Sequence, residues 1–195
     1  LKNAVKYSVG DCNMLTRTPY YLFEAISKLL KQHRISKNDL QIIFAGECSP
    51  QDIALAKAQG IDGIVHFTGY VDHNRSIQML HDADVLFLPL HEPREMLPLI
   101  VPGKTYEYLA AQRPILAPIP DGDARRFVQQ ARLGFVCDPT DIESLASILL
   151  DLVTKYRSPD GLRVKPNIHF IEQFERKKLT EQLASVFDKV ISKSK

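Results

Sequence analysis

Short apolar runs alternate along this chain with longer amphipathic segments, and this alternation restricts the possible folds more than any other feature. It is typical of βα units, in which helices connect parallel strands and cover the sheet. The predicted strands lie near 4–9, 40–45, 64–68, 84–89, 114–118 and 134–137, and the predicted helices near 19–33, 50–59, 73–82, 103–112, 122–132 and 141–156. The sequence therefore predicts an α/β fold with a Rossmann-like, doubly wound parallel sheet of about six strands. Ligands of such sheets bind outside the carboxyl ends of the strands.

The pattern also predicts the domain organisation. Residues 1–156 would form the sheet domain, and the polar segment 157–167, with two prolines and a glycine, is predicted to be a linker. Residues 168–195 are predicted to form an amphipathic C-terminal helix. Its apolar stripe would pack back on the domain or on an N-terminal domain that is absent here. The apolar residues of this stripe are Leu179, Leu183, Val186, Phe187, Val190 and Ile191. Since the chain begins without a Met, we expect a domain of a longer protein.

Composition excludes several classes of protein. A net charge of +2 over 195 residues is too small to argue for nucleic-acid binding. Cys12, Cys48 and Cys137 are far apart and form no C-x-x-C pair, so neither a disulfide framework nor a zinc site is predicted, and a reducing, cytoplasmic location fits best. Every apolar run is far shorter than the roughly 20 residues that span a bilayer. The lysine-rich end fits either contact with an anionic membrane surface or a solvated helix face.

A Gly-Lys-Thr triplet follows Pro102, directly before a predicted helix. The nucleotide-triphosphatase P-loop requires a glycine five positions before Gly103, and that position is Pro98, so this class is excluded. A more general device remains, because glycine allows a ligand close to the backbone and the free amides of a helix N-terminus attract anions. The sequence predicts that a phosphate or carboxylate group binds at Gly103.

Helical spacing predicts which side of the helix each residue after Gly103 occupies. Glu107 lies one turn after Gly103 on the same side of the helix, while Tyr106, Leu109 and Ala110 are predicted to form its buried stripe. A carboxylate at Glu107 can accept two hydrogen bonds from vicinal hydroxyls, as the acidic residue of dinucleotide sites does for ribose. The alternative role for Glu107 is to complement the helix dipole.

Two other strand ends carry candidate residues. Gly10 follows the first predicted strand and Arg17 precedes the next helix, so both can face the same crevice. The Arg17 guanidinium matches the geometry of phosphate, although a turn glycine and a solvated arginine are the alternative. Gly69 follows the third predicted strand, and Tyr70 and Val71 would then line the crevice where the backbone can contact a flat base.

The fourth predicted strand leads at Pro89 into a loop of about a dozen residues. Loops of this length are usually functional or disordered. This one carries His91, Glu92, Arg94 and Glu95. Paired carboxylates are suited to acid–base chemistry, but polar residues on a surface loop need no such role.

The order of these features resembles that of a known protein family. The series is "VHFTGYV", "ADVLFLPL", "VPGKTYEYLAAQRPILAPIPDGD", "GFVCDPTDIESLASIL" and "FERKKLTEQLASVFD". It is similar to the C-terminal, nucleotide-sugar-binding domain of B-type glycosyltransferases (GT-B), and within these to the large retaining family four. The similarity covers nearly the whole chain and depends on the ordered series, because each piece alone is weak. It implies that this chain is one half of a GT-B fold.

The resemblance implies a role for each candidate. Glu107 would bind the ribose hydroxyls, and the amides of Gly103, Lys104 and Thr105 would meet the diphosphate, together with Arg17. By the same resemblance, Tyr70 and Val71 lie where the backbone of family members contacts the base.

One position departs from the family's pattern. Family members carry a pair of glutamates, and Leu99 stands where the first of them belongs. The resemblance therefore leaves Glu95, or a backbone amide of the long loop, to make the contact of that glutamate with the sugar.

The implied function is retaining transfer of a hexosyl group from a UDP- or GDP-sugar to a glycan or lipid-linked acceptor in polysaccharide biosynthesis. Arg17, Lys104 and the helix N-terminus would stabilise the leaving diphosphate without a metal or another cofactor. The acceptor would bind an absent N-terminal domain, so we expect the isolated chain to be inactive. Two alternatives stay open: the donor domain of a nucleotide-sugar 2-epimerase, and a non-catalytic Rossmann-like scaffold.

Overall fold

Parallel strands separated by helices make up the computed structural model, which describes residues 12–93 and 101–193. The strands are β1 (Cys12–Asn13), β2 (Ile42–Phe44), β3 (Val65–Phe67), β4 (Leu86–Phe87), β5 (Glu92–Pro93), β6 (Ile115–Pro118) and β7 (Gly134–Cys137). β2 pairs with β3 in parallel, and β6 lies between β4 and β7, again in parallel. This confirms the predicted α/β class with a parallel sheet. The described residues contain five parallel strands rather than six, and the strand predicted at 4–9 lies outside them.

Helices occupy the segments between these strands and the end of the chain. They are α1 (Tyr20–Lys31), α2 (Pro50–Ala58), α3 (His73–Asp82), α4 (Gly103–Ala111), α5 (Asp123–Gln130), α6 (Ile142–Arg157), α7 (Ile168–Glu172) and α8 (Arg176–Lys193). Side chains cap the N-termini of several of these helices. Ser49, Asp72 and Asp141 each accept a hydrogen bond from the amide three residues later, which satisfies one of the free amides of α2, α3 and α6.

Apolar side chains cover both faces of the sheet, as a doubly wound fold requires. Side chains of β6 alternate between the faces, because successive residues of a strand point in opposite directions: Leu116 joins one buried cluster, and Ile115 and Ala117 join the other. The first cluster is formed with α1, α2 and α6, and the second with α4, α5 and α7. The stacked rings of Phe44 and Phe67, on β2 and β3, belong to the first cluster.

The C-terminal segment forms two helices, not the single helix that its periodicity predicts. The chain turns between α7 and α8, where Phe174 packs edge-on against Phe127 and Phe170, with ring centroids 4.9 and 5.1 Å away. The partly buried Phe174 ring thus packs on the domain at the point where the two helices meet. The segment predicted as a linker contacts the domain, because the Asn167 amide donates to the Ala131 carbonyl at 2.9 Å.

Helix α8 presents its apolar stripe to the surface. The six apolar side chains of the stripe are 46–61% exposed: Leu179, Leu183, Val186, Phe187, Val190 and Ile191. Neither α8 nor any other described helix is long and apolar enough to cross a membrane.

Candidate functional site

Most of the predicted site residues come after the carboxyl ends of parallel strands, in the pair β2–β3 and in the three-stranded sheet β4–β6–β7. β4 and β6 run in parallel, and α4 lies between them in sequence, so the N-terminus of α4 is at the carboxyl ends of these strands. Gly69 and Tyr70 come two and three residues after β3, and His91 comes four residues after β4. The carboxyl edge that these strand ends form is therefore where a ligand of the fold would bind.

The N-terminus of α4 has free amides at its surface. Pro102 precedes the helix and provides no side-chain hydrogen bond to it, and Gly103 and Lys104 are both exposed. A Cβ atom at Gly103 would meet nothing within 4 Å among the described residues. The first amides of a helix have no intrahelical acceptor and carry the positive end of its dipole. This end of α4 can therefore accept an anion.

The Thr105 amide is expected from the sequence to meet the diphosphate, but the structure gives this amide another partner. Its side chain is fully buried, and its amide donates to the Pro102 carbonyl at 2.9 Å. Because this amide is already bonded in the first turn, Gly103 and Lys104 supply the amides that remain for an anion. The Thr105 hydroxyl is buried and has no hydrogen-bond partner among the described residues.

The buried face of α4 also differs from the prediction. Thr105, Leu109 and Ala111 are buried, whereas Tyr106 is 39% exposed and Ala110 is exposed. The prediction is confirmed for Leu109 and wrong for Tyr106 and Ala110. Thr105, a polar residue, takes a core position that hydropathy does not assign to it.

Glu107 is exposed and follows Gly103 by four residues. Both residues therefore lie on one side of α4, as the spacing predicts. The neighbouring Tyr108 fixes the helix against the sheet, since its hydroxyl donates to the Phe87 carbonyl of β4 at 3.3 Å. Burial, and to a smaller extent the charge of Glu107, raises the pKa of Tyr108 to about 12, so the phenol stays protonated and keeps this hydrogen bond.

A glycine pair shapes the turn after β3. Gly69 has a φ of +68°, a left-handed conformation that favours glycine, and its carbonyl accepts a hydrogen bond from Gly46 at 2.9 Å. Tyr70 follows at 85% exposure, and Val71 is half-buried. The exposed Tyr70 ring and the backbone on either side of it are accessible to a ligand at this edge.

Arg17 contacts a residue that sequence reasoning did not pair with it. It ends a short 3-10 helix, Met14–Arg17, and its Nη1 atom lies 3.3 Å from Nε2 of His91. Burial, and then the charge of Arg17, lowers the pKa of His91 below its ordinary value. The contact joins residues 74 positions apart, and nothing in either local sequence indicates it.

Two predicted site residues, Gly10 and Glu95, lie outside the described residues. Of the others, the structure gives Arg17 a partner in His91 and puts Gly69, Tyr70, Val71, Gly103, Lys104 and Glu107 at the strand ends or on the first turns that follow them. Among residues 12–93 and 101–193, no group of three or more His, Cys, Asp or Glu side chains could hold a metal ion.

Together these features define a Rossmann-like α/β domain in which α4, the helix after β4, begins without a side-chain cap. The model of the family "Glycosyl transferases group 1" matches residues 9–155 of this sequence. The chain belongs to that family. A comparison with curated proteins finds no match.

Solved structures of GT-B glycosyltransferases share the fold. HepE of Anabaena, solved in complex with UDP, has a TM-score of 0.66 at 15% identity over 92% of this chain and 47% of its own. TarM has a TM-score of 0.58 at 19% identity over 88% of this chain and 32% of its own. A Staphylococcus aureus TarM mutant in complex with fondaparinux, α-GlcNAc-glycerol and UDP has a TM-score of 0.53 at 21% identity, covering 71% and 26%. This chain therefore spans less than half the length of each of these structures.

Proposed function

We propose that this chain is the donor-binding domain of a retaining glycosyltransferase, and that it binds the nucleoside diphosphate of a UDP- or GDP-sugar. The open N-terminus of α4 carries the proposal: exposed amides at Gly103 and Lys104 are followed one turn later, on the same side, by the exposed Glu107. Amides suit a diphosphate and the carboxylate suits ribose hydroxyls. The structures of HepE and of the TarM mutant, both in complex with UDP, support this assignment.

The remaining residues complete the binding site. Tyr70 and Val71 follow a turn that the hydrogen bond between Gly46 and Gly69 holds, and their backbone would contact the base. Arg17 would pair with the diphosphate. Gly10 and Glu95, which lie outside the described residues, keep their predicted roles at the phosphate and at the sugar.

In the proposed reaction, the residues of this chain stabilise the leaving group, and none of them is assigned as a nucleophile. When the bond between the anomeric carbon and the diphosphate breaks, negative charge grows on the diphosphate oxygens. The α4 dipole, Lys104 and Arg17 would stabilise that charge, because fixed donors aimed at developing charge lower the barrier. These groups would perform the role that a divalent metal performs in other transferases.

The transferred group would be a hexosyl unit and the acceptor a glycan or lipid-linked sugar, with retention of configuration. We propose that a second, N-terminal domain binds this acceptor, in line with the partial coverage of the solved structures. The chain alone would bind nucleotide without turning it over.

We place the protein in the cytoplasm, in solution or peripheral to the inner membrane face.

The experiment is a calorimetric titration of the chain with UDP, GDP and ADP, followed by the corresponding nucleosides. We expect one diphosphate to bind more tightly than its nucleoside, because the α4 amides and Arg17 act on the phosphates. A folded chain that binds none of the three diphosphates would overturn the proposal. Sugar transfer by the chain alone would contradict the need for a second domain.

A further inference from the structure

In the hydrogen bond between Arg17 and His91, only one of the two side chains can be the donor. A guanidinium only donates hydrogen bonds, so Nε2 of His91, 3.3 Å away, must be the acceptor. The imidazole is then neutral and carries its proton on Nδ1. The environment favours this form, since burial and the charge of Arg17 both lower the pKa of His91. Nδ1 itself is buried and has no hydrogen-bond partner among the residues that the structure describes.

Backbone pairing sets the position of both residues. β1 pairs with β5 in an antiparallel ladder, in which Cys12 lies opposite Pro93 and Asn13 opposite Glu92. Arg17 follows β1 by one turn of 3-10 helix, and His91 directly precedes β5. The ladder therefore fixes the imidazole beside the guanidinium.

The exposure of the two side chains differs, and this difference suggests which of them orients the other. Arg17 is exposed, and a long exposed side chain samples many rotamers, whereas His91 is partly buried and has only two rotatable bonds. A hydrogen-bond acceptor on the more rigid His91 restricts the rotamers of the more mobile Arg17. The contact thus holds the Arg17 guanidinium beside His91, in the segment that follows β4.

We propose that His91 is a positioning residue that orients Arg17 toward the diphosphate. The inference rests on the proposed function of Arg17 and goes beyond it, since His91 would act through the guanidinium without touching the nucleotide. Loss of the Nε2 acceptor would leave the charge of Arg17 in place but would free its side chain, so phosphate binding would weaken while base and ribose binding would not.

The test uses UDP and uridine as probes, or GDP and guanosine if the titration selects them. His91→Met replaces the imidazole with a side chain of similar volume whose thioether is only a weak acceptor, and His91→Gln restores a strong acceptor near the position of Nε2. We expect His91→Met to weaken UDP binding about three- to tenfold, the range of one hydrogen bond, with uridine affinity unchanged. His91→Gln should recover most of the loss. In an Arg17→Ala background, His91→Met should have no further effect on UDP affinity.

The outcomes separate this inference from the proposed function. If the wild-type chain binds neither diphosphate, both fall. If Arg17→Ala leaves UDP affinity unchanged, the role of Arg17 fails and this inference with it, while nucleotide binding at α4 stands. If Arg17→Ala weakens binding but His91→Met does not, or if the two effects add, only the role of His91 is overturned.

A second measurement needs no variant. Nitrogen NMR of the wild-type imidazole at neutral pH should show His91 neutral with its proton on Nδ1. A proton on Nε2 would overturn the inference even where His91→Met fails to fold.

Discussion

At the scale of single residues, the glycines of this chain have different physical roles. Gly103 has open space where a side chain would be, and its backbone is in an ordinary helical conformation. Gly134 is the opposite case, because a Cβ there would collide with Cγ1 of Val128 on α5. The fold therefore requires glycine at 134, whereas at 103 only a ligand that approaches the backbone would require it.

Substitution of these two glycines should have opposite consequences. We expect Gly103→Ala to raise the free energy of unfolding by up to about 1 kcal/mol, the helix preference of alanine, and to weaken diphosphate binding. Gly134→Ala should lower the free energy of unfolding by about 1–3 kcal/mol through overpacking. Urea denaturation and calorimetric titration measure both effects. Unchanged UDP affinity in Gly103→Ala would show that no ligand approaches that backbone.

Glu107 is the residue whose role is most directly measurable. If its carboxylate accepts bonds from ribose hydroxyls, Glu107→Gln should weaken UDP binding by about ten- to a hundredfold, the range for hydrogen bonds to a charged group. Binding of 2′-deoxy-UDP should fall much less. Calorimetry of both ligands measures the difference, with Glu181→Gln on the exposed surface of α8 as control. Equal losses for the two ligands would contradict contact with the 2′ hydroxyl.

At the scale of elements, the helices differ in how the free amides of their N-termini are satisfied. Asp72 caps α3, since its side chain accepts from the Arg75 amide at 3.0 Å. α4 has no equivalent cap, because Pro102 cannot provide one. α1 and α5 also begin without a side-chain cap. At the proposed site, a bound anion would satisfy the α4 amides as the Asp72 side chain satisfies one in α3.

Removal of the α3 cap should therefore cost stability but not ligand affinity. We expect Asp72→Ala to lower the free energy of unfolding by about 1 kcal/mol. The control is Asn74→Ala, an exposed position inside the same helix, which should change it by less than about 0.5 kcal/mol. Urea denaturation compares the two variants, and equal losses would show that Asp72 does not cap α3 in solution.

At the scale of the whole molecule, apolar surface is distributed unevenly. The cluster around α1 and α6 buries side chains such as Phe23 completely, whereas the stripe of α8 keeps Phe187 57% exposed. Hydrophobic stabilisation scales with the area that folding removes from water. Most of the free energy of unfolding should therefore come from the sheet domain, where apolar side chains are buried on both faces, and little from α8.

This distribution predicts unequal costs for two similar substitutions. Phe23→Ala should lower the free energy of unfolding by about 3–5 kcal/mol, the typical cost of truncating a buried phenylalanine. Phe187→Ala should change it by less than about 0.5 kcal/mol. Urea denaturation at two protein concentrations measures both. A large cost for Phe187→Ala that grows with concentration would show that the α8 stripe is covered in solution by another copy.

The sequence by itself determined the α/β class, the positions of most helices and strands, and the location of Gly103, Lys104 and Glu107 on the first turns of α4. These follow from local periodicity and from turn and capping chemistry, which neighbouring residues encode. It also indicated the family through the order of its motifs, and the family model confirms this.

Only the tertiary structure decided the rest. The division of the C-terminal segment at Phe174 depends on rings from α5 and α7, and the buried position of Thr105 depends on how α4 packs. The antiparallel pairing of β1 with β5 brings His91 to Arg17 across 74 residues. Contacts between distant segments have no local periodicity, so no sequence pattern in either segment predicts them.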